Sequence, residues 1–230
     1  CYNIADTLIV GQCIGANALA AVGSAYTLMV FLISILLGLS MGSGTVFSLQ
    51  YGAGDLSALR RSIYVSLLLI GTVTILLNVA VFLWLDPILR WLQVPYDIYS
   101  LMRNYLWIIF WGIVFTFLYN FYAALLRAVG DSVTPLWFLA VSVVLNIGLD
   151  LFLILVLDQG IEGAAVATVI AQGTAASGIL LYTYKTRPEL RLHREDMCFD
   201  RSSLREITSF STLTCVQQSV MNFGILMVQG

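Results

Sequence analysis

The stretch Val133–Leu157, VTPLWFLAVSVVLNIGLDLFLILVL, decides the fold class. It is longer than the roughly 20 apolar residues that an α-helix needs to cross a membrane. It is also far longer than a strand of a membrane β-barrel, and its apolar residues do not alternate with polar ones. The stretch therefore predicts a membrane-spanning helix, and it contains an amide side chain, Asn146, and a carboxylate, Asp150.

The composition of the whole chain also indicates a membrane protein. Hydrophobic residues make up 60% of the 230 positions and charged residues 10%, against about 25% charged residues in a typical soluble domain. The mean hydropathy is +0.91, which leaves too little polar surface to coat a water-soluble globule. We therefore predict that the protein lies in the lipid bilayer, which is its main partner. The net charge of −2 gives no basis for nucleic-acid binding.

Apolar runs of spanning length predict seven helices, of which the first ends near Gly15 and the seventh begins near Leu204. The five between them are Ala21–Leu49, Ile63–Leu85, Leu101–Leu126, Val133–Leu157 and Ala164–Tyr184. Turn-forming residues separate the runs. These are Gly52-Ala53-Gly54-Asp55, Asp86-Pro87, Val94-Pro95, Gly130-Asp131 and Asp158-Gln159-Gly160.

Lysine and arginine concentrate in alternate connections between these helices. Nine of them lie in the second-to-third, fourth-to-fifth and sixth-to-seventh connections, whereas only Arg90 and Arg103 lie on the other side. Because basic connections stay in the cytoplasm, we predict a multi-pass plasma (inner) membrane protein with its N-terminus on that side. Residues 185–203 are predicted to form a solvated cytoplasmic linker between a helical lobe at 1–184 and a further helix at 204–230. Both ends of the sequence fall inside apolar runs, so we expect a longer protein.

Acidic side chains inside membrane spans are costly and usually functional, and Asp6 and Asp150 are the two that lie clearly within predicted helices. Asn146 precedes Asp150 by four residues and shares its helix face. Thr168 ends the small-residue run Gly163–Thr168, which lets the next helix approach closely. Such oxygen donors suit Na⁺, and a desolvated carboxyl group readily takes up H⁺. An alternative for Asn146 and Thr168 is interhelical hydrogen bonding alone.

Two patterns that could indicate an enzyme or a metal site have simpler interpretations. Residues 38–42, GLSMG, match the G-x-S-x-G pattern of hydrolases, but that pattern works at a strand-to-helix turn and here lies inside a predicted helix. The same residues match GxxxG and predict helix packing. The four cysteines lack the spacing of a metal site or a disulfide framework and are predicted to be small packing residues. An intramembrane enzyme that uses the paired acids remains an alternative to transport.

Several segments, in this order along the chain, are similar to those of a known family. They are YNIADTLIVG (2–11), ALAAVG (18–23), GAGD (52–55), LRAVGD (126–131), NIGLD (146–150) and GIEGAAVAT (160–168). The ordered series resembles MATE (multidrug and toxic compound extrusion) transporters from Tyr2 to about Tyr184. The resemblance implies an all-α integral membrane fold. This chain would form a six-helix transmembrane lobe plus the start of a seventh helix, half of a two-lobe, twelve-helix transporter.

The resemblance also implies a function and a site. The protein would export lipophilic, often cationic compounds by alternating access, as a secondary active antiporter that uses Na⁺ or H⁺ and no bound cofactor. Its partners would be small-molecule substrates and the missing C-terminal lobe of the same chain. The family's ion-coupling residues, which would be metal ligands if the ion is Na⁺, fall on Asp6, Asn146, Asp150 and Thr168. Two further cavity or coupling positions on the fourth helix fall on Tyr105 and Asn120.

This chain departs from the family pattern at Leu151, where many relatives place a proline after the helix-five acid, so no kink carries over there. Within the same superfamily, an alternative function is that of a flippase for lipid-linked precursors. That function requires a cationic cavity for a diphosphate headgroup, and no Lys or Arg lies deep inside a predicted helix.

Overall fold

The computed structural model describes residues 9–11, 15–91, 94–193, 196 and 200–229, and helices dominate these ranges. The long helices are α1 (Ala16–Gly52), α2 (Leu56–Trp91), α3 (Tyr96–Trp111), α4 (Ile113–Ala128), α5 (Val133–Leu151), α6 (Gly160–Thr186) and α7 (Arg201–Gln229). A π-helical segment, Phe152–Val156, extends α5, and a 3₁₀ turn, Pro188–Leu190, follows α6. No strand occurs within the described ranges.

The length and composition of these helices confirm the predicted all-α integral membrane class. Four are long and apolar enough to cross a membrane, namely α1, α2, α5 with its π-helical extension, and α6. Helices α3 and α4 pass the same test as a pair, which makes up to five spans within the described residues. The first predicted helix lies largely outside these residues.

The prediction of a single helix over Leu101–Leu126 is wrong. The structure begins this span at Tyr96 and breaks it at Gly112, where α3 and α4 meet at 44°. A Cβ atom added at Gly112 would lie 2.7 Å from Gln172 Oε1 on α6. The glycine therefore lets the side chain of a neighbouring helix approach the break.

Side chains from other helices supply the hydrogen bonds that the broken span needs. Asn78 Nδ2 on α2 donates to the carbonyl of Phe110 over 2.7 Å, near the end of α3. Thr116 Oγ1, in the first turn of α4, lies 3.1 Å from Gln172 Oε1 and 3.2 Å from the Gly112 carbonyl. Backbone groups released inside a membrane must find such partners because lipid offers none.

The break predicted at Asp86-Pro87 occurs two residues earlier, as a kink that joins two helical segments of α2. The departure from helical geometry falls at Trp84, with φ −112° and ψ 15°. A proline prevents the hydrogen bond to the preceding turn, so the helix bends just before it and need not end there. Asp86 then holds this end of α2 against α3 through an ion pair with Arg103 at 2.8 Å.

Two other predicted breaks are confirmed as helix boundaries. Between α1 and α2, Gly54 adopts φ 75°, and Asp55 Oδ1 accepts a hydrogen bond of 2.9 Å from the Ala58 amide at the start of α2. Between α4 and α5, Gly130 adopts φ 90°. Such left-handed backbone ends a helix at little cost only when the residue is glycine.

Ion pairs join basic residues of the helix connections to acidic residues of other connections at one end of the bundle. Arg60, near the start of α2, pairs with Asp196 at 3.0 Å, and Arg187, after α6, pairs with Asp131 before α5 at 3.9 Å. The segment after α6 is therefore not wholly solvated as predicted, since Asp196 is only 8% exposed. Part of this segment is attached to the helical bundle.

The core of the bundle lies among α1, α3 and α4, with α2 and α6 packed around them. Phe47 on α1 meets Phe121 on α4 edge to face, with ring centroids 5.8 Å apart. Helix α5 lies outside this core and packs chiefly against α6. Its inward face is therefore determined by a single neighbour, and that face carries the candidate site.

Candidate functional site

Helix α5 presents its polar residues to the protein and its apolar residues to the outside. The residues buried along it are Pro135, Ser142, Asn146 and Asp150, of which the last three are spaced by four and form one stripe. Large apolar side chains such as Val144 are exposed on the other faces. Lipid solvates an apolar surface, so in a membrane the costly polar groups are the ones that must face inward.

Helix α6 can approach this stripe closely because its facing residues are small. Ala164, Ala165 and Ala167 are each fully buried. Ser142 Oγ donates a hydrogen bond of 2.6 Å to the backbone carbonyl of Ala171. Such a bond to the backbone of a neighbouring helix requires two helix axes at short distance, which small side chains permit.

The structure brings Asn146 and Thr168 into direct contact across this interface. Asn146 Nδ2 donates to Thr168 Oγ1 over 3.2 Å, and both residues are buried, with exposures of 0% and 1%. Asn146 Oδ1 is also buried and accepts no hydrogen bond within the described part of the chain. The interface therefore presents an amide oxygen that can still serve as an acceptor or a ligand.

Asp150 lies one turn beyond Asn146 on the same buried stripe and is itself 0% exposed. A carboxylate removed from water is expensive unless a proton, a cation or hydrogen-bond donors compensate its charge. With the Asn146 and Thr168 oxygens on the same interface, the group has the chemistry either to take up a proton or to help bind a hard cation.

A π-helical turn follows Asp150 directly. Helix α5 ends at Leu151 and continues as the π-helix Phe152–Val156, in which the Leu157 amide donates to the Phe152 carbonyl over 3.2 Å. A local change of helix type therefore lies close to the buried acid, immediately after Leu151. Such turns are common at functional sites, and this one lies beside the turn into α6.

Tyr105 occupies the core of α3 and is 1% exposed. Its neighbour Asn104 donates from Nδ2 to Glu162 Oε1 in the first turn of α6 over 2.8 Å. Tyr105 therefore lies at the end of the bundle where α5 turns into α6, the same end as Asp150. Its assignment to the coupling cluster remains a prediction.

The structure gives Asn120 a local bond and leaves Asp6 undescribed. Asn120 Nδ2 donates to the Thr116 carbonyl, one turn earlier in α4, over 2.8 Å. A contribution of Asn120 to coupling thus remains a prediction, with its amide engaged by its own helix. Asp6 lies outside the described residues.

Reasoning from the sequence missed Ser142 and gave no partners to Asn78 and Gln172. Ser142 could have been found, because it precedes Asn146 by the same four residues that separate Asn146 from Asp150. Asn78 and Gln172 are distant in sequence from the broken span that they contact. No local pattern indicates such partners.

Comparisons with known proteins fit this geometry. A model of the MatE family matches residues 1–152. The probable multidrug resistance protein YpnP of Bacillus subtilis (strain 168) is 38% identical over 184 residues, which cover 80% of this chain and 41% of that protein. The chain spans about half the length of the curated relatives it matches.

Two solved structures that resemble the chain represent opposite conformations of a multidrug resistance MATE family transporter of the MOP superfamily. The outward-facing one has a TM-score of 0.90 at 23% identity and covers 98% of this chain and 50% of its own. The inward-facing one has a TM-score of 0.88 at 23% identity, with 94% and 49% covered. At this level of identity the likeness concerns the fold. Both proteins, like YpnP, are named as resistance proteins or transporters.

Proposed function

The chain belongs to the MatE family, and from that premise we propose that it forms the first half of a two-lobe membrane transporter rather than an enzyme. The proposed protein exports lipophilic, often cationic compounds across the plasma membrane by alternating access. Entry of Na⁺ or H⁺ drives the export. The observation that carries this proposal is the fully buried Asp150 on a helix joined to its neighbour by the Asn146–Thr168 hydrogen bond.

The proposed coupling follows from the cost of burying a charge. An ionised Asp150 in a dry interface destabilises the conformation that buries it, whereas a bound proton or Na⁺ removes most of that penalty. A ligand shifts a conformational equilibrium only through its different affinities for the two states. Occupancy at Asp150 would thus favour one conformation of the lobe, and its loss would favour the other.

The two ions make different demands on the same residues. A proton needs only the carboxyl group of Asp150. A sodium ion needs several oxygen ligands, which the Asp150 carboxylate, Asn146 Oδ1 and Thr168 Oγ1 could supply, with Asp6 as a fourth residue by family resemblance. The Asn146–Thr168 hydrogen bond would then have to rearrange on sodium binding, because its oxygens would turn to the ion.

No observation on the described residues favours either alternative function, an intramembrane enzyme or a flippase for lipid-linked precursors. The described residues hold no cluster of three His, Cys, Asp or Glu side chains that could bind a catalytic metal. The flippase alternative needs a cationic cavity within the bilayer. In the described helices the basic side chains lie near helix ends, as Arg60 and Lys185 do, or pair with an acid, as Arg103 does with Asp86.

The proposal is tested by efflux of a fluorescent lipophilic cation from membrane vesicles that contain the full-length protein. A Na⁺ gradient and a pH gradient are imposed separately. We expect one of them to drive efflux in the wild type and the Asp150→Asn variant to lose most of that efflux. Retention of the wild-type efflux rate in Asp150→Asn would contradict the assignment of Asp150 to the coupling site. Absence of gradient-driven efflux in the wild type would contradict the proposed ion coupling.

Asp158→Asn is the matched control. It removes the same charge from an exposed position in the turn between α5 and α6. Asp158 adopts φ 51°, and asparagine tolerates this left-handed conformation well. We expect gradient-driven efflux at the wild-type rate, so a loss in Asp150→Asn alone reports on the buried site.

A further inference from the structure

A cavity of about 210 Å³ opens at the end of the bundle where the basic connections gather. Its floor is apolar and includes Leu125 on α4 and Leu180 on α6. Its rim carries Tyr184, Arg187 and Arg191, which lie at the end of α6 and in the segment that follows. An apolar floor under a basic rim suits a molecule that has both an anionic group and a hydrocarbon part.

The guanidinium group of Arg187 is incompletely satisfied. Nε is buried and makes no hydrogen bond within the described ranges. The terminal nitrogens lie 3.9 Å from Asp131 and 3.6 Å from Glu189. These are ion-pair distances that exceed those of a charge-assisted hydrogen bond. The two carboxylates therefore reduce the local positive charge but leave hydrogen-bonding capacity, and a buried donor without an acceptor is costly.

Arg191 is held rigidly at the same rim. Its Nε donates to the Tyr184 carbonyl over 2.8 Å, and its guanidinium carbon lies 4.5 Å from the centroid of the Tyr184 ring. No carboxylate of the described residues lies within ion-pair distance of Arg191. The terminal nitrogens of this guanidinium make no hydrogen bond to the described residues, since the bond that Arg191 makes is through Nε. A pre-oriented guanidinium of this kind suits phosphate recognition.

We propose that this cavity binds the phosphodiester headgroup of an anionic phospholipid. Arg187 and Arg191 would donate hydrogen bonds to the phosphate oxygens, and the apolar floor would receive the first part of an acyl chain. The position supports a lipid over a free anion, because the rim lies where α6 leaves its apolar span at Thr186. That end is the one predicted to face the cytoplasm, where anionic lipid headgroups attract basic side chains. This inference goes beyond the transport function and does not depend on it.

The experiment measures binding to the full-length protein in detergent by native mass spectrometry and by thermal stabilisation. The probes are phosphatidylglycerol, phosphatidylcholine and inorganic phosphate, each added alone. We expect phosphatidylglycerol to bind and stabilise the wild type, with little effect of the other two. Arg191→Gln should weaken phosphatidylglycerol binding by about tenfold, as expected for one charge-assisted contact. Arg187→Gln should weaken it by a similar factor.

Arg127→Gln is the matched control, because it removes an exposed positive charge at the same end of the bundle, outside the cavity. We expect it to bind phosphatidylglycerol as the wild type does. Equal binding by the wild type, Arg187→Gln and Arg191→Gln would overturn the site. Stabilisation by phosphatidylcholine or by inorganic phosphate as strong as that by phosphatidylglycerol would overturn the assignment to an anionic lipid.

Discussion

Two helix contacts in this chain are stabilised by different kinds of residues. Between α5 and α6 the contact is polar, with Ser142 and Asn146 bonded across the interface beside the buried Asp150. Between α1 and α7 the contact is made by small residues, and Gly38 and Gly42 face the backbone of α7. Both contacts have side-chain hydrogen bonds, but a buried carboxylate distinguishes the first contact and a close approach of backbones distinguishes the second.

The details of the α1–α7 contact show why glycine is required there. A Cβ atom added at Gly38 would lie 2.7 Å from both Cα and Sγ of Cys215, and one added at Gly42 would overlap the backbone of Ser211. Ser211 and Cys215 are themselves small and four residues apart, so each helix presents a matching groove. Three side-chain bonds between described residues cross this contact. Ser211 Oγ donates to the Leu39 carbonyl over 3.2 Å, and Cys215 Sγ donates to the Ile35 carbonyl over 3.5 Å. Gln218 Nε2 lies 3.2 Å from Met41 Sδ.

The two contacts would have different roles in the proposed transporter. The α5–α6 contact joins helices of one predicted lobe and keeps a charge away from water. The α1–α7 contact joins that lobe to the first helix of the next, and alternating access would require this contact to change. The side-chain bonds across α1–α7 are part-buried or exposed, whereas those across α5–α6 are buried. The α1–α7 contact can therefore separate at lower cost.

The largest effect is expected from Gly42→Ala, which places a methyl group against the backbone of Ser211. Because backbone cannot move aside as a side chain can, α7 must shift away from α1. We expect the full-length protein to lose about 2 kcal/mol of stability, as for other overpacked interiors. Thermal unfolding in detergent measures the loss. Maleimide labelling of Cys215, in a variant whose other cysteines are replaced, should become faster as the contact opens.

Gly23→Ala is the control for that substitution. Gly23 lies on the same helix, is exposed, and has no neighbouring atom within 4 Å of an added Cβ. Alanine also has the higher helix propensity, so stability should stay the same or rise slightly. Equal labelling of Cys215 in Gly42→Ala and Gly23→Ala would show that α1 and α7 are not in close contact.

A smaller effect is expected from Thr168→Val, which keeps the shape of the side chain and removes the acceptor of the Asn146 hydrogen bond. Interhelical hydrogen bonds in membranes contribute about 0.6 kcal/mol on average. We therefore expect a loss of about 1 kcal/mol, since a buried amide also loses its partner. Efflux should fall together with stability if the threonine oxygen takes part in coupling.

Thr174→Val on the same helix provides the comparison. Thr174 is exposed, and its hydroxyl donates to the Ile170 carbonyl of its own helix over 2.9 Å. Its replacement should leave both stability and efflux near the wild-type values. If Thr168→Val and Thr174→Val behaved alike, the polar contact between α5 and α6 would contribute no more than a helix-internal bond.

The two contacts were predictable from the sequence to different degrees. Four-residue spacing placed Asn146 and Asp150 on one face, and the small residues before Thr168 indicated which helix would meet them. For the α1–α7 contact, the GxxxG pattern at Gly38 and Gly42 predicted a packing surface but not its partner. A partner more than 150 residues away in sequence is set by the global arrangement of helices, which no local pattern specifies.

The break between α3 and α4 shows a second limit of sequence reasoning. Average hydropathy treats Leu101–Leu126 as continuous, and no proline marks the bend at Gly112. At the bend, Asn78 on α2 donates to the Phe110 carbonyl, and Gln172 on α6 accepts a hydrogen bond from the Thr116 hydroxyl. Pro87 did indicate the kink in α2, which falls at Trp84 because the turn before a proline has to adjust. The error at Gly112 arises from tertiary contacts that outweigh local propensity.

The smallest effect is expected where α7 begins, at Asp200. The Asp200 carboxylate accepts hydrogen bonds from the hydroxyls and amides of Ser202 and Ser203. These bonds, with the Ser202 hydroxyl first, lower the pKa of Asp200 from 3.8 to about 2. Because the pKa is lower in the folded state, this stabilisation is fully present above pH 3.8 and declines as the pH falls toward about 2. Asp200→Asn should therefore lower the thermal midpoint slightly at pH 6 and less at pH 3.

The matched control for Asp200→Asn is Asp97→Asn, at an exposed position in the first turn of α3 where the described residues donate no side-chain hydrogen bond to the carboxylate. Its thermal midpoint at pH 6 should stay near that of the wild type. The same two variants also test whether the α1–α7 contact is more sensitive to acid than the α5–α6 contact. The start of α7 is held by the Asp200 cap and by the packing of Ile207 against Val46 and Val65. Loss of the cap should therefore loosen the α1–α7 contact slightly in acid and leave α5–α6 intact. Cys215 labelling that does not change with pH between wild type and Asp200→Asn would contradict this link between the cap and the contact.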